Sequence, residues 1–322
     1  MKLLRSCICG DAKKAKISLL CNLNVTMKDN APKKLIIHDR STFPLNGLPR
    51  TLETLYISGL KLCNFRREIL LLKHLVVLDL SNNEIEKLPP EFGRMQSLAE
   101  LHMANNQLGI KGEIDWRWLF GPQIIKTLKL LDLSGNRLGN ISKSIWKLQK
   151  LVTLKLDNNM LDRLPATLGR INTLRYITVS RNELESLPCS LMQCRLEYID
   201  ISSNKFHHKK ELVKTIKHTP WNFYIGNLVH IAAKIVLKNK YFYAPNIIPW
   251  TLVDFLDNAN MCVCGSPVVN ELFYVKKEFE LKDYFRMVVF NNNSRSVVNF
   301  ECYFCSPKCF SKFLPTVIVE VM

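Results

Sequence analysis

From residue 52 to residue 206 the apolar positions of this chain follow one template. Leu75, Leu78, Leu80, Ile85 and Leu88 fall at places 1, 4, 6, 11 and 14 of a phrase that has Asn83 at place 9 and ends on Pro89. The phrase returns as Leu151, Leu154, Leu156, Asn159, Leu161, Leu164 and Pro165, and again from Leu174 to Pro188. Shorter copies run from Leu98 to Leu108, Leu128 to Leu138 and Leu196 to Phe206, and a degenerate copy opens at Leu52. The copies start at 52, 75, 98, 128, 151, 174 and 196, so five of the six intervals are 22 or 23 residues. Apolar residues two apart at the centre of each copy predict a short strand with those side chains pointing inward. The Asn of each copy (83, 106, 136, 159, 182, 204) carries an amide able to satisfy turn N–H and C=O groups. The Pro after Leu88, Leu164 and Leu187 predicts a bend into the return segment.

One copy is longer. The interval from 98 to 128 spans 30 residues, and its excess includes Glu113-Ile-Asp-Trp-Arg-Trp-Leu-Phe120. Two Trp there read either as an exposed wedge or as packing for a longer return helix, and packing is the expected role. The phrase as a whole resembles the leucine-rich repeat. That resemblance implies a curved parallel sheet stacked one strand per repeat, in which no copy buries its apolar face alone. The expected fold class is therefore α/β: a leucine-rich repeat solenoid over residues 33–207, preceded by an N-terminal tail over 1–32. Cys7-Ile-Cys9-Gly in that tail lacks a partner pair, and a capping strand is expected at Leu35-Ile-Ile37.

After Phe206 the period changes. Leu228, Ala232 and Val236 lie four apart, which places them on one stripe of a helix. Ile248-Pro249 opens a second helix, because Pro is tolerated in the first turn, and Leu252 and Leu256 then follow on one face. These helices occupy 208–258. The remaining segment, 259–322, is rich in cysteine. Cys262-x-Cys264-Gly and Cys305-x-x-x-Cys309 are two close thiol pairs of the kind tetrahedral Zn²⁺ takes, with Cys302 as a fifth candidate. A β-hairpin is expected to bring them together: Leu272 to Val275, then Met287 to Phe290, a turn at Asn291 to Ser294, and Val297 to Phe304.

Composition narrows the function. The 322 residues carry 45 Lys and Arg against 28 Asp and Glu, a net charge of +17. Such a balance favours acidic partners. No basic stripe studded with aromatics accompanies it, so direct nucleic-acid binding is not expected. Lys87, Arg94, Lys143, Lys147, Lys150, Arg163 and Arg170 are expected to be solvated for the most part, and a further cluster runs from Lys205 to Lys210. No stretch approaches 18 apolar residues, and no signal peptide is expected. The 11 Cys lack the flanking cap arrangement of secreted repeat proteins, so a reduced, intracellular protein is expected. No Ser-His-Asp spacing, phosphate loop or carboxylate pair stands out, so an enzyme is the least expected reading.

A repeat array, then the Leu228 stripe, then Ile248-Pro249, then the cysteine ending: in that order these resemble the leucine-rich repeat substrate receptors of Cullin-2 RING ubiquitin ligases. The resemblance implies a non-catalytic adaptor. Leu228, Ala232 and Val236 would be its elongin box, contacting Elongin B/C. Ile248, Pro249, Leu252 and Leu256 would be its cullin box, contacting Cullin-2 and through it the RING subunit. Asn227 and Ala232 depart from the commonest elongin-box residues, and the N-terminal domain that the family carries before its repeats is expected to be absent or largely lost. The resemblance also implies a nuclear role, with the cytoplasm as a second compartment, and the replicative helicase at replication termination as the substrate. Substrate is expected on the concave sheet face. One column there reads Tyr56, Asp79, His102, Asp132, Lys155, Thr178, Asp200; its neighbour reads Thr54, Val77, Glu100, Leu130, Thr153, Tyr176, Tyr198. Tyr176 and Tyr198 are the expected anchors, with His102 and Lys155 setting selectivity. The rival readings are a cytoplasmic signalling scaffold and a zinc-dependent nucleic-acid-binding protein.

Overall fold

Each apolar phrase becomes one turn of a solenoid in the computed structural model, which describes residues 32–44, 47–110, 112, 114–206, 227–269, 274–290 and 297–313. The strands are β1 (Lys34–Ile37), β2 (Thr54–Ile57), β3 (Val77–Asp79), β4 (Glu100–His102), β5 (Leu130–Asp132), β6 (Thr153–Lys155), β7 (Tyr176–Thr178) and, after the two-residue β8 (Leu187–Pro188), β9 (Tyr198–Asp200). They form a parallel sheet in chain order, with β8 set aside on the return side. The expected columns are the observed register: Tyr56 pairs with Asp79, Asp79 with His102, and so on to Thr178 with Asp200. The first, fourth and sixth residues of each phrase are fully buried, Leu151, Leu154 and Leu156 among them.

The Asn residues close the turns as anticipated. Asn106 donates through Nδ2 to the carbonyls of Leu80 (3.0 Å) and Met103 (3.1 Å), and its Oδ1 accepts from Ile85 N (3.0 Å). Each amide thus ties its own repeat to the one before it. On the convex side the return segments are 3-10 turns, and Pro89, Pro165 and Pro188 stand at the N-caps of three of them. Proline suits these caps because it lacks the N–H that would go unpaired there.

The long repeat fills its excess with a 3-10 turn at Arg117–Phe120 and a short helix α1 (Ile124–Thr127). Trp118 is 2% exposed and packs edge-on against Phe92 at 5.7 Å. The tryptophans are packing residues, as expected. The turn can sit close because Gly93 and Gly121 meet face to face; a Cβ on Gly121 would lie 2.2 Å from the Gly93 Cα.

Past the solenoid come helices α2 (Leu228–Lys238) and α3 (Trp250–Asp257), a small β10 (Asn260–Met261) and β11 (Pro267–Val268) pair, β12 (Tyr274–Glu280), β13 (Met287–Val289), β14 (Val297–Tyr303) and helix α4 (Pro307–Phe313). Two expectations are corrected here. The hairpin forms between β12 and β14, with Tyr274 opposite Tyr303 and Glu280 opposite Val297. β13 leaves it and joins the solenoid as the strand beyond β9, parallel, with Met287 beside Tyr198 and Val289 beside Asp200. The open edge of a parallel sheet leaves a row of backbone groups unpaired, and β13 covers that edge. β14 also pairs with β8, so the cysteine-rich segment is built onto the last repeats at two places.

The second correction concerns charge. Lys147 and Arg170 are buried, not solvated. Cys7, Cys9 and the run from His207 to Lys210 lie outside the described residues. Among the described residues no helix is long and apolar enough to cross a membrane.

Candidate functional site

Helix α2 is capped by its own sequence. Asn227 Oδ1 accepts from His230 N at 2.9 Å, as N-cap Asn side chains do. The helix rests on the body through Ala233 and Leu237, which are buried, and through Val236, which is half-buried. Its opposite side is apolar and bare. Leu228 is 80% exposed, and Val229, Ile231, Ala232 and Ile235 are exposed beside it. Of the three residues singled out in the sequence, Leu228 and Ala232 thus lie on the open face, while Val236 is an edge residue packed against the core. Val229, Ile231 and Ile235 were missed. The signal for Ile231 and Ile235 was present: 228, 231, 232 and 235 follow the i, i+3, i+4, i+7 spacing of a helix face.

Helix α3 begins behind exposed Pro249, with Ile248 half-buried. Leu252 is exposed, but Leu256 is only 6% exposed and belongs to the core with Val253. Leu252 and Leu256 therefore do not form one free face. Trp250 is exposed and edge-on to Phe120 at 6.0 Å. A cleft of about 610 Å³ runs between α3 and the long repeat, lined by Trp116, Phe120, Trp250 and Asp254 among others.

The end of α3 is bolted to the convex side of the solenoid. Asp257 accepts from Tyr243 Oη (2.7 Å), Trp146 Nε1 (3.2 Å), Lys147 Nζ (3.3 Å) and the Ser144 hydroxyl. Arg170 Nη2 donates to the Ala259 carbonyl at 2.7 Å. The Lys147 ammonium sits 3.9 Å from the centre of the Tyr243 ring and near Trp146 and Phe120. Burial pulls its pKa down to about 8 against the opposing pull of Asp257. The end of α3 is therefore fixed relative to the repeats by a buried polar network.

The thiol groups of Cys262, Cys264, Cys305 and Cys309 all lie within 4.8 Å of one another. Gly265, at φ +85°, turns the chain so that its N–H reaches the Cys262 carbonyl at 2.8 Å. Cys305 follows β14, and Cys309 is in α4. Cys264 to Cys305 and Cys305 to Cys309 are each 3.6 Å between sulfurs. A tetrahedral ion bound by thiolates at about 2.3 Å sets its sulfurs about 3.8 Å apart, so the donor set fits such an ion. Burial raises the Cys262 and Cys305 thiols. Cys264 is also opposed by burial, yet hydrogen bonds, led by the Ser266 side chain, bring it down to about 7. The four cysteines can hold a metal ion. Cys302 is not in the group; it is fully buried on β14, interacting with Cys189 of the solenoid.

On the concave face Tyr56, Asp79, His102, Lys155, Tyr198 and Asp200 are partly exposed and Tyr176 is exposed. Tyr176 Oη donates to Glu197 at 2.7 Å, and Lys155 pairs with Asp132 at 3.6 Å. Burial, then the charges of Asp200 and Asp157, raise the Tyr198 pKa. The sheet places Tyr176 directly beside Tyr198, with Met287 next in the column.

A strand-per-turn parallel sheet with an Asn ladder defines the leucine-rich repeat class, and a family model described as "Leucine rich repeat" matches residues 50–108 and 126–184. The relatives extend beyond the repeats. Leucine-rich repeat protein 1 of Homo sapiens is 32% identical over 296 residues, covering 91% of this chain and 69% of that protein. Its Mus musculus counterpart is 33% identical over 282 residues, covering 87% of this chain and 64% of that protein. Among solved structures, a leucine-rich repeat protein of Leptospira interrogans is 26% identical with a TM-score of 0.38, covering 49% of this chain and 46% of that one. The chain belongs to the leucine-rich repeat protein 1 family.

Proposed function

We propose that this chain is the substrate-recognition subunit of a Cullin-2–Elongin B/C RING ubiquitin ligase and is not itself catalytic. The observation that carries the reading is the bare apolar face of α2. Leu228, Val229, Ile231, Ala232 and Ile235 form a stripe on an 11-residue helix, with nothing over it among the described residues. An amphipathic helix of this kind is read by an apolar groove through anchors at i, i+3, i+4 and i+7, which is the role an elongin box plays. Pro249, Leu252 and Trp250, exposed at the start of α3, are the surface offered to Cullin-2. The four cysteines would hold a structural Zn²⁺, which supplies folding energy to the module and no chemistry. Catalysis then comes from proximity: a substrate lysine is held near the charged conjugating enzyme. The replicative helicase at termination, in the nucleus, is the substrate that the sequence resemblance implies.

Co-purification with Elongin C tests the reading. Leu228→Asp places a carboxylate against the groove at a cost of roughly several kcal/mol, and the residue's exposure leaves the fold of the free chain unaffected. This variant is expected to lose Elongin C and Cullin-2 together. The pair Ile248→Ala and Pro249→Ala is expected to keep Elongin C and lose Cullin-2. Capture of the whole ligase by both variants, or no Elongin C with the unaltered chain, would overturn the assignment.

A further inference from the structure

The chain as a whole is strongly basic, yet one end of its concave face is not. From β7 to β13 the strand positions that face out of the sheet are Tyr176, Thr178, Tyr198, Asp200, Met287 and Val289, none of them cationic. Three carboxylates border or occupy this end. Asp157 accepts from Ser180 N and Oγ, both at 2.8 Å, and from the Thr178 hydroxyl. Asp200 accepts from Ser202 N (3.0 Å) and Oγ (2.7 Å). Glu197 accepts from Tyr176 Oη. Among the described residues none of the three is in an ion pair. Two cations on the neighbouring strands are engaged elsewhere: Lys155 with Asp132, and Arg175 Nη1 with the carbonyls of Asn172 and Leu174 at 2.9 Å each.

The last strand of this face comes from the cysteine-rich segment. Met287 is 60% exposed and Val289 is also exposed, so apolar surface from β13 adjoins the tyrosines. Open apolar surface beside aromatic rings and carboxylates that have no ion-pair partner among the described residues defines the chemistry of what covers it. A lysine or arginine stem lies well on Met287 and Val289. Its charged head is attracted by the tyrosine rings and by the carboxylates. Polyanions meet like charge here, so the net charge of +17 gives the wrong sign for this part of the surface.

We propose that the C-terminal end of the concave face, completed by β13, docks an extended basic segment of a partner protein, rich in lysine and arginine. The inference deepens the adaptor reading and rests on it only in taking the concave face as the protein-docking surface.

The test uses the purified full chain and fluorescent 15-residue unfolded peptides: a lysine- and arginine-rich set, an acidic set and a neutral set of matched aromatic content, with a single-stranded DNA oligonucleotide beside them. The basic set is expected to bind, and to weaken as salt screens the contact. The double variant Asp157→Asn and Asp200→Asn keeps an oxygen for each turn N–H while removing charge. It is expected to lose roughly tenfold or more in affinity for the basic set. Val289→Lys is expected to lose as much by repulsion. Thermal unfolding and thiol-bound metal content, unchanged in both variants, show that the fold is kept. Equal binding of acidic or neutral peptides, preferential binding of DNA, basic binding indifferent to the variants, or no binding of any probe would overturn the proposal. Elongin and cullin play no part in this measurement, so a failed ligase assignment and a failed docking face are told apart.

Discussion

Lys147 is the residue at which sequence and structure part furthest. Its neighbours Lys143 and Lys150 made it look like one more solvated cation on the convex side. Only the arrival of α3, 110 residues later in the chain, buries it under Asp257. Local spacing carries no information about that contact. The consequence is a pH dependence with a definite sign. Burial lowers the folded pKa from 10.5 to about 8, while the unfolded chain keeps the proton up to its own pKa. Between those values the unfolded state binds more protons, so this group's contribution to stability rises with pH. The part of the stability profile owed to Lys147 is read as the difference between the protein and Lys147→Met. In urea unfolding from about pH 7.5 to about pH 10.5, the window set by those pKa values, the protein is expected to gain on the variant. The gain has an upper size on the order of 3 kcal/mol. A flat difference across that window would show that the lysine stays protonated in its aromatic surroundings. The Asn ladder is the opposite case. Its bonds run from one repeat to the next at a fixed sequence interval, so the amide's role was legible from the period alone.

Among the elements, the strands and their register could be read directly, because inward and outward positions alternate and a slip of one would expose every leucine. The seam between the long repeat and the one before it was harder to read, since its two glycines are 28 positions apart and meaningful only as a pair. Gly93 and Gly121 let the return turns of adjacent repeats touch backbone to backbone. A Cβ added at Gly93 would stand 2.4 Å from the Trp118 carbonyl oxygen and 2.7 Å from the Gly121 Cα. Neither neighbour is a flexible side chain, so the turns must separate. Gly93→Ala is expected to destabilise the solenoid by about 3 kcal/mol, read as a lower urea midpoint. Gly139→Ala serves as the control, because nothing lies within 4 Å of a Cβ there; it is expected to change little. Similar midpoints for the two variants would mean the seam opens without strain. The candidate docking helices were legible as amphipathic, but which side faced inward was not. Spacing puts Leu252 and Leu256 together, whereas the structure sends Leu256 into the core and leaves Leu252 on the surface. A helix pattern fixes the angle between residues and leaves the orientation of the helix to the body it packs on.

At the scale of the whole molecule, the feature hidden from the sequence is that the cysteine-rich segment is part of the repeat domain. The four cysteines were visible as two close pairs, and among the described residues the structure gathers those four and no others. What spacing could not show is the route of the chain between the pairs. β13 leaves the hairpin to pair with β9, β14 pairs with β8, and Gln193 of the last return turn donates to the Cys262 and Val263 carbonyls. A metal ion held by these cysteines would therefore brace the C-terminal repeats as well as its own module. Structural sites of this kind contribute folding energy directly, and in a repeat stack stability passes between nearest neighbours. Removing metal with a chelator, or making Cys305→Ser, is expected to loosen the array from its C-terminal end. Hydrogen exchange reads this residue by residue. The Ile201 amide, bonded to the Val289 carbonyl at 3.0 Å, and the Val179 amide, bonded to the Asp200 carbonyl at 2.8 Å, are expected to lose protection first. Amides of the early repeats, such as Leu80 bonded to the His102 carbonyl at 2.9 Å, are expected to keep theirs. Uniform loss along the array would mean the solenoid unfolds as one unit. Unchanged protection at Ile201 and Val179 would mean that the strands are held by packing alone and that the cysteines stabilise only the hairpin that carries them.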